Sequence, residues 1–384
     1  MSKIQTLKVP VKEMPNGDLL SIKIYRITGQ TPGPHVHIQS SVHGAEIQGN
    51  AVIYQLIDFF QQNDFSGSIS FIPNANPWAL IQKSGQYTQG RFNPMTGDNW
   101  NRNYVDLLGL PNEESGLDLN SFVTKHKDSE ESTIVLEYKK ALVDSVNHYM
   151  ELRKTRGLSD NLKLNLILQK LAAPADIVLD LHTGPCATRY LYSSELLAES
   201  SKQFKMPFTL IYPNIFSGAM DEASQAPWWR LTSALEEVGK RLPPVFESYT
   251  IELGSQERLS LEEAEQDAAR ILHYLNYKGL AFKSSPTVPS ADGLACYLKD
   301  YKSYYAPRGG LYQFMVAPGQ KFAKNQVLAR SLNLDNLERN GKLDDCLFEV
   351  TAAEEGIVIN HSVSAILSEG SELVEVMENS FAHS

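Results

Sequence analysis

The stretch PHVHIQSSVHGAEIQGNAVIYQLIDFF, residues 34–60, carries the patterns that decide the fold. Apolar and polar residues alternate up to Val42, which predicts a strand that ends near Ser40. After Glu46 the apolar residues recur in pairs at helical spacing, which predicts a helix lying on a sheet. The run SISFIP at 68–73 then predicts a second strand that is stopped by proline. Strand, helix and strand in this order predict a βαβ unit and hence a parallel sheet.

The same kinds of element continue along the chain. Apolar stripes predict two helices between residues 134 and 172. The short apolar runs DIVLDLHTG (176–184) and YTIELGS (249–255) are typical of buried central strands. Ser260 and Glu263 have the spacing of a capping box, which predicts the start of another helix. Together these elements predict an α/β fold with a mixed, mostly parallel sheet flanked by helices.

The chain changes character after residues 283–293, KSSPTVPSADG. This stretch predicts a linker, because it is rich in serine and proline and lacks periodicity. Beyond it, short apolar runs separated by glycines predict a small all-β, barrel-like domain. We therefore predict a catalytic α/β domain at 1–285, with a helical insertion at about 107–172, and a C-terminal β domain at 286–384.

The composition limits the partners and the compartment. The 384 residues carry a formal net charge of −10, which disfavours nucleic acid as a partner because phosphate binding needs a basic surface. The three cysteines are scattered without CxxC spacing, so we expect neither a disulfide framework nor a thiolate metal site. The sequence shows no signal peptide and no apolar window of membrane-spanning length. We therefore expect a cytoplasmic protein without a membrane partner.

Three of the predicted strands lead into reactive side chains. The first is followed by HGAE, with His43 and Glu46; the second carries His182 in DLHTG, and the third carries Glu252 in IELG. In an open α/β sheet, ligands bind at the carboxyl ends of the strands, so we expect these groups to converge. Two imidazoles and one carboxylate suit zinc with a fourth position open for water. Glu252 would then be the carboxylate that takes a proton from this water.

These motifs resemble the succinylglutamate desuccinylase/aspartoacylase family of zinc carboxypeptidase-like hydrolases. The resemblance runs from about residue 34 to 376 and is carried by HGAE, NRN, DLHTG, IELG and the glycine-rich β tail. It implies the zinc carboxypeptidase-like fold and one zinc per chain. It also implies that His43, Glu46 and His182 are the zinc ligands and that Glu252 is the general base.

The resemblance assigns further residues around the metal. Asn101 and Arg102 match the pair that grips the substrate carboxylate, and Arg91 in QGRFNP matches the arginine that polarises the scissile carbonyl. An arginine can donate two parallel N–H groups to a carboxylate, which a lysine cannot do. Asp180 lies two residues before His182, and we expect it to orient a metal ligand from behind.

The activity that the resemblance implies is that of a zinc-dependent amidohydrolase, a deacylase for N-acyl amino acids or similar small anionic amides. Two features depart from the family. The insertion at 107–172 is longer than in compact members, and the segment between His182 and Glu252, which helps to select the substrate in aspartoacylases, has no match. The acyl group, the amino acid and homo-oligomerisation therefore stay open. The candidates for substrate contacts are Arg189, Tyr190, Tyr192 and Arg258.

Three other functions fit parts of the same sequence. A zinc metallocarboxypeptidase acting on peptides would have the same metal site, but the β tail favours small substrates. His35 and His37 in HVH also match the HxH motif that begins the metal site of a TIM-barrel amidohydrolase. The sequence, however, does not show the eight βα units of that fold. The tail resembles a lipoyl-type carrier domain as well, but its turn at AAEEGIV has glutamates where a carrier needs lysine.

Overall fold

The computed structural model describes residues 4–283, 286–291 and 293–384. Residues 284, 285 and 292 of the predicted linker lie outside the described residues, and the predicted domain limits at 285 and 286 stay a prediction. The chain divides into two compact units. Unit 1 comprises Met1–His182, Asn214–Thr250 and Leu259–Pro289, and unit 2 comprises Thr183–Pro213, Ile251–Arg258 and Ser290–Ser384.

The strands and helices are numbered in chain order. The strands are β1 (Gln5–Glu13), β2 (Leu19–Thr28), β3 (Thr31–Ser40), β4 (Ser66–Ile72), β5 (Lys83–Ser84), β6 (Tyr87–Thr88), β7 (Ile177–Gly184), β8 (Cys186–Ala187), β9 (Arg189–Ser194), β10 (Phe208–Tyr212), β11 (Glu247–Ser255), β12 (Leu294–Tyr297), β13 (Tyr301–Tyr305), β14 (Gly310–Phe314), β15 (Lys321–Phe322), β16 (Val327–Leu332), β17 (Leu347–Thr351), β18 (Gly356–His361), β19 (Ile366–Leu367), β20 (Glu372–Met377) and β21 (Phe381–Ala382). The α-helices are α1 (Gln48–Gln62), α2 (Asn112–Ser115), α3 (Leu119–His126), α4 (Glu131–Lys154), α5 (Asp160–Ala172), α6 (Ala198–Ser201), α7 (Met220–Glu237), α8 (Leu261–Leu275) and α9 (Asp335–Asn340).

Unit 1 is built on a mixed sheet with the strand order β1-β2-β4-β3-β7-β11. Strand β3 is parallel to both β4 and β7, whereas β2 is antiparallel to β1 and β4. The predicted βαβ unit is therefore confirmed as β3-α1-β4. The TIM-barrel alternative is wrong, because antiparallel strands border the parallel ones in an open order.

The predicted helices and buried strands lie where their patterns indicated. Helix α1 buries Val52, Ile53, Leu56 and Phe60 on one side and packs against α8. Helices α4 and α5 fill most of the predicted helical stretch at 134–172. Every residue of β7 is buried, as expected for a central strand. The hydroxyl of Ser260 accepts from the backbone N–H of Glu263 at 3.1 Å and so caps α8.

Unit 2 contains parallel strands and two small antiparallel sheets. Its parallel strands are β9, β10 and β12, and β21 is antiparallel to β12. The small sheets have the orders β13-β20-β18-β15, with β8 also pairing with β18, and β17-β16-β14-β19. The C-terminal β structure is therefore confirmed, with one correction: the six-residue helix α9 interrupts it, where glycine-punctuated apolar runs predicted strands alone.

Among the described residues, the structure contains no helix with the length and apolar character that a membrane span requires.

Candidate metal centre

The HGAE motif forms the turn between β3 and α1. Ser41 opens this turn with a φ of 58°, and Gly44 passes close to a neighbouring loop. A side chain at Gly44 would not fit, because a Cβ atom there would lie 2.1 Å from the carbonyl oxygen of Ala79. The backbone N–H of Gly44 donates to the carbonyl of Gly90 at 2.9 Å. The tight turn thus places His43 and Glu46 just beyond the carboxyl end of β3.

His43, Glu46 and His182 converge on one point within unit 1. Nδ1 of His43 lies 2.8 Å from Oε1 of Glu46, and Nδ1 of His182 lies 2.7 Å from Oε2 of the same carboxylate. All three side chains are buried, and their ligand atoms lie within 4.8 Å of one another. Both imidazoles therefore present the same ring nitrogen to the shared carboxylate.

The opposite nitrogen of each ring is held by a different group. Nε2 of His43 lies 2.8 Å from Oδ1 of Asn99, and Nε2 of His182 lies 2.8 Å from Oδ2 of Asp180. The other oxygen of Asp180 accepts from the side-chain amide of Gln39 at 3.1 Å. Such outer partners fix the orientation of a metal-binding histidine and raise its basicity. The Nε2 atom of His182 thus contacts a carboxylate, whereas that of His43 contacts a neutral amide.

The electrostatics of the site favour positive charge. Burial works against a charged His182 ring, but the carboxylates of Asp180 and Glu46 outweigh it and raise the pKa of His182 well above its usual value. Burial lowers the pKa of His43, although Glu46 acts in the opposite direction. Burial also acts to raise the pKa of Glu46, yet the two imidazoles hold it well below the ordinary range. A field that stabilises a proton between buried carboxylates also stabilises a bound cation.

Arg91 and Asn101 lie at this centre as well. Nη1 of Arg91 donates to Oε1 of Glu46 at 3.0 Å. The side-chain amide of Asn101 lies 3.2 Å from Nε2 of His182, and its buried Oδ1 atom has no hydrogen-bond partner among the described residues. Arg102 is exposed, and its Nη1 donates to the backbone carbonyl of Asn101 at 2.7 Å. Of the two predicted carboxylate-binding residues, only Asn101 therefore contacts a metal-site histidine.

Glu252 belongs to unit 2. Burial, followed by the negative charge of Glu252, raises the pKa of the Tyr190 hydroxyl well above its usual value. Glu252 acts in the same direction on Tyr301, after burial and the effects of Tyr192 and Glu375. The charge of Glu252 thus acts on phenol groups of unit 2, and its catalytic role stays a prediction.

The sequence alone did not single out Asn99. This residue reaches His43 because Phe92 and Asn99 pair as an antiparallel bridge, which closes the loop between them. Asn99 Oδ1 also accepts from the backbone N–H of Asn101 at 2.9 Å. The only signal in the sequence was the alternation of asparagines in NWN, which places Asn99 and Asn101 two residues apart.

Comparisons with known proteins agree with this architecture. Residues 32–136 match the family model described as the succinylglutamate desuccinylase/aspartoacylase catalytic domain. A solved structure from Shewanella frigidimarina, assigned to succinylglutamate desuccinylase/aspartoacylase, is 37% identical, covers 99% of each chain and has a TM-score of 0.91. A family protein from Shewanella amazonensis is also 37% identical, covers 98% of this chain and 99% of its own, and has a TM-score of 0.90.

More distant structures share the fold. The ectoine utilization protein EutE (DoeB) from Ruegeria pomeroyi is 17% identical over 98% of this chain and 95% of its own, with a TM-score of 0.64. A search of curated proteins finds no match. The two Shewanella structures match nearly the whole length of the chain at 37% identity. The chain therefore belongs to the succinylglutamate desuccinylase/aspartoacylase family of hydrolases.

Proposed function

We propose that this protein is a zinc-dependent amidohydrolase that releases the acyl group from small N-acyl amino acids. The observation that carries the proposal is the convergence of His43, Glu46 and His182, whose ligand atoms lie within 4.8 Å of one another. Two imidazole nitrogens and one carboxylate oxygen form a ligand set that zinc accepts in catalytic sites. The donor set therefore fits the metal that the family resemblance implies.

The surrounding residues suit amide hydrolysis. Zinc held by these ligands would lower the pKa of a coordinated water to about 7 and act as a Lewis acid. The guanidinium of Arg91, in contact with Glu46, supplies positive charge for an oxyanion that develops on the substrate. Asn101 and Arg102 supply N–H donors for a substrate carboxylate. Glu252 would accept the proton of the attacking water and pass it to the leaving nitrogen.

The names of the relatives support the substrate class. Succinylglutamate and acylaspartate, the compounds in the family name, are amides of an amino acid with a free carboxylate. A site with two arginines near a cationic centre is complementary to such anions, although the chain as a whole carries a net charge of −10. We therefore infer that the substrate is a small, anionic acyl-amino acid.

A substrate screen with the purified protein tests this function. The zinc content is measured first, and N-acetyl, N-succinyl and N-formyl amino acids are then compared with dipeptides. Hydrolysis of an N-acyl amino acid that stops when zinc is removed with a chelator, and returns when zinc is added, is the expected result. Zinc-dependent cleavage of the dipeptides alone would instead identify a carboxypeptidase.

Replacing Arg102 with lysine should reduce kcat/KM for the best anionic substrate by about tenfold or more. The ammonium group keeps the charge, but it cannot donate two parallel N–H groups to the substrate carboxylate. Arg156→Lys is the matched control, since Arg156 is also exposed and lies outside the metal centre. Equal kcat/KM values for Arg102→Lys and the control would remove Arg102 from the substrate site.

Asn99 offers a test of how His43 is held. Replacing it with alanine removes the partner of Nε2 and should weaken zinc binding by about 10–100-fold. Asn99→Asp keeps the shape, makes the partner a carboxylate and should bind zinc at least as tightly as the natural protein. Competition with a chromogenic chelator measures both affinities. Wild-type affinity in the alanine variant would show that Asn99 does not support the metal ligand.

A further inference from the structure

Unit 1 contains a cleft at the end of the sheet opposite to the metal centre. It has a volume of about 590 Å³ and lies at the starts of β3, β7 and β11, whereas His43 and His182 lie near the strand ends. A volume of this size falls in the range of small-molecule sites. Helix α4 forms another wall, and its Leu136 side chain is 66% exposed. The cleft therefore offers an apolar surface for a small ligand.

Two ammonium–carboxylate pairs line this cleft. Lys139 pairs with Asp176 at the start of β7, and Lys278 pairs with Glu247 at the start of β11, with 2.6 Å between Nζ and Oε1 in the second pair. Glu247 also accepts from the hydroxyls of Tyr249 and Tyr274. Because both pairs are anchored on neighbouring strands, the charges have fixed positions.

The two pairs expose opposite charges. In the first pair the Asp176 side chain is 32% exposed and that of Lys139 only 14%. In the second pair the Lys278 side chain is 25% exposed and that of Glu247 only 5%. The cleft thus presents a carboxylate at one strand start and an ammonium at the next. A ligand complementary to this arrangement carries an ammonium and a carboxylate of its own, together with an apolar part.

We propose that this cleft binds a free amino acid as a zwitterion. The α-ammonium group of the ligand faces Asp176, its α-carboxylate faces Lys278, and its side chain lies on the apolar surface beside Leu136. The charges and the volume support this site whatever the enzyme hydrolyses. The biological role of the cleft rests on the proposed function, since the hydrolysis of an N-acyl amino acid releases a free amino acid.

Strands β3 and β7 connect the two ends of unit 1. The cleft contains Pro34 of β3 and Ile177 of β7, and these strands lead towards His43 and His182. If binding in the cleft changes the affinity of the metal centre for its ligand by some factor, then binding at the metal centre changes the affinity of the cleft by the same factor.

Calorimetric titration of the full-length, zinc-loaded protein with individual L-amino acids tests the site. At least one amino acid should show saturable binding, and its N-acetyl derivative and its α-amide should not, because each lacks one of the two charges. The absence of binding by any amino acid, or equal binding of the two derivatives, would overturn the proposal.

Two tryptophan variants locate the binding. Ser132 lies in the first turn of α4 and lines the cleft, so Ser132→Trp should abolish the binding, and Leu136→Trp is a second variant of the same kind. The neighbouring Thr133 is also exposed but does not line the cleft, so Thr133→Trp should bind the amino acid normally. Binding that survives in both cleft variants would place the amino acid elsewhere, for example at the metal centre as a product, and would refute the cleft.

These outcomes are separate from those of the proposed function. Hydrolase activity without added amino acid should be the same in Ser132→Trp and Thr133→Trp. Both residues are exposed on α4, and the cleft beside them lies at the starts of β3 and β7, whereas His43 and His182 lie near the ends of these strands. Amino acid binding in a protein that hydrolyses no N-acyl substrate would support the cleft and contradict the deacylase. Hydrolysis of an N-acyl amino acid without binding in the cleft would support the deacylase and contradict the cleft.

Discussion

Zinc binding should be lost when either His43 or His182 is replaced by alanine. Each imidazole supplies one of three ligands, and the buried Glu46 connects them at 2.8 and 2.7 Å. Loss of an outer partner alone usually costs about 10–100-fold in metal affinity, so the loss of a ligand should exceed that range. Metal analysis after gel filtration, together with chelator competition, measures the effect.

His35→Ala and His37→Ala are the matched controls for this experiment. Both residues lie on β3, where the ring of His35 faces Ser68 and Ser70 and the ring of His37 faces Gln39. They should keep stoichiometric zinc. If both His43→Ala and His182→Ala keep zinc and the two control variants lose it, the metal lies at the HVH motif. The assignment of His43 and His182 as zinc ligands is then wrong.

The elements that place the metal centre could be predicted because each has a local cause. Alternation predicted β3, paired apolar residues predicted α1, and the short apolar run at the start of β7 predicted a buried strand. Parallel pairing of β3 with β7 then brings the strand ends together, so His43 and His182 meet although 139 positions separate them in the sequence. The clustering of the three candidate ligands follows from this topology.

Other features depend on contacts that no local pattern encodes. Asn99 reaches His43 through a loop closed by one bridge at Phe92, and nothing in its neighbours indicates where that loop turns. The charges exposed in the cleft at the strand starts depend on which partner of each ion pair is more deeply buried, and this follows from tertiary packing. The helix α9 also interrupts the C-terminal strands, at the polar stretch DNLERN between the apolar runs that predicted strands. Such features arise from tertiary context rather than from propensity.

Replacing Glu252 with glutamine should leave a folded, zinc-loaded and nearly inactive enzyme. Glutamine keeps the shape and a hydrogen-bonding group, but it cannot accept the proton of the attacking water. Because the proposed ligands are His43, Glu46 and His182, the zinc content should stay near normal. Activity should fall by about 10²–10⁴-fold, the usual contribution of a positioned proton acceptor. Turnover of the best N-acyl amino acid, zinc content and the melting temperature are measured on the same preparation.

The alternative for Glu252 is a purely structural carboxylate in unit 2, where its charge acts on Tyr190 and Tyr301. In that case Glu252→Gln would change the melting temperature more than the rate. Glu375→Gln is the matched control, because Glu375 accepts from the hydroxyl of Tyr301 at 2.8 Å in the same unit. A general base predicts that the rate falls only for Glu252→Gln, at normal zinc content and normal stability. Most of the activity retained in Glu252→Gln, or a loss explained by missing zinc, would assign the proton transfer to another group.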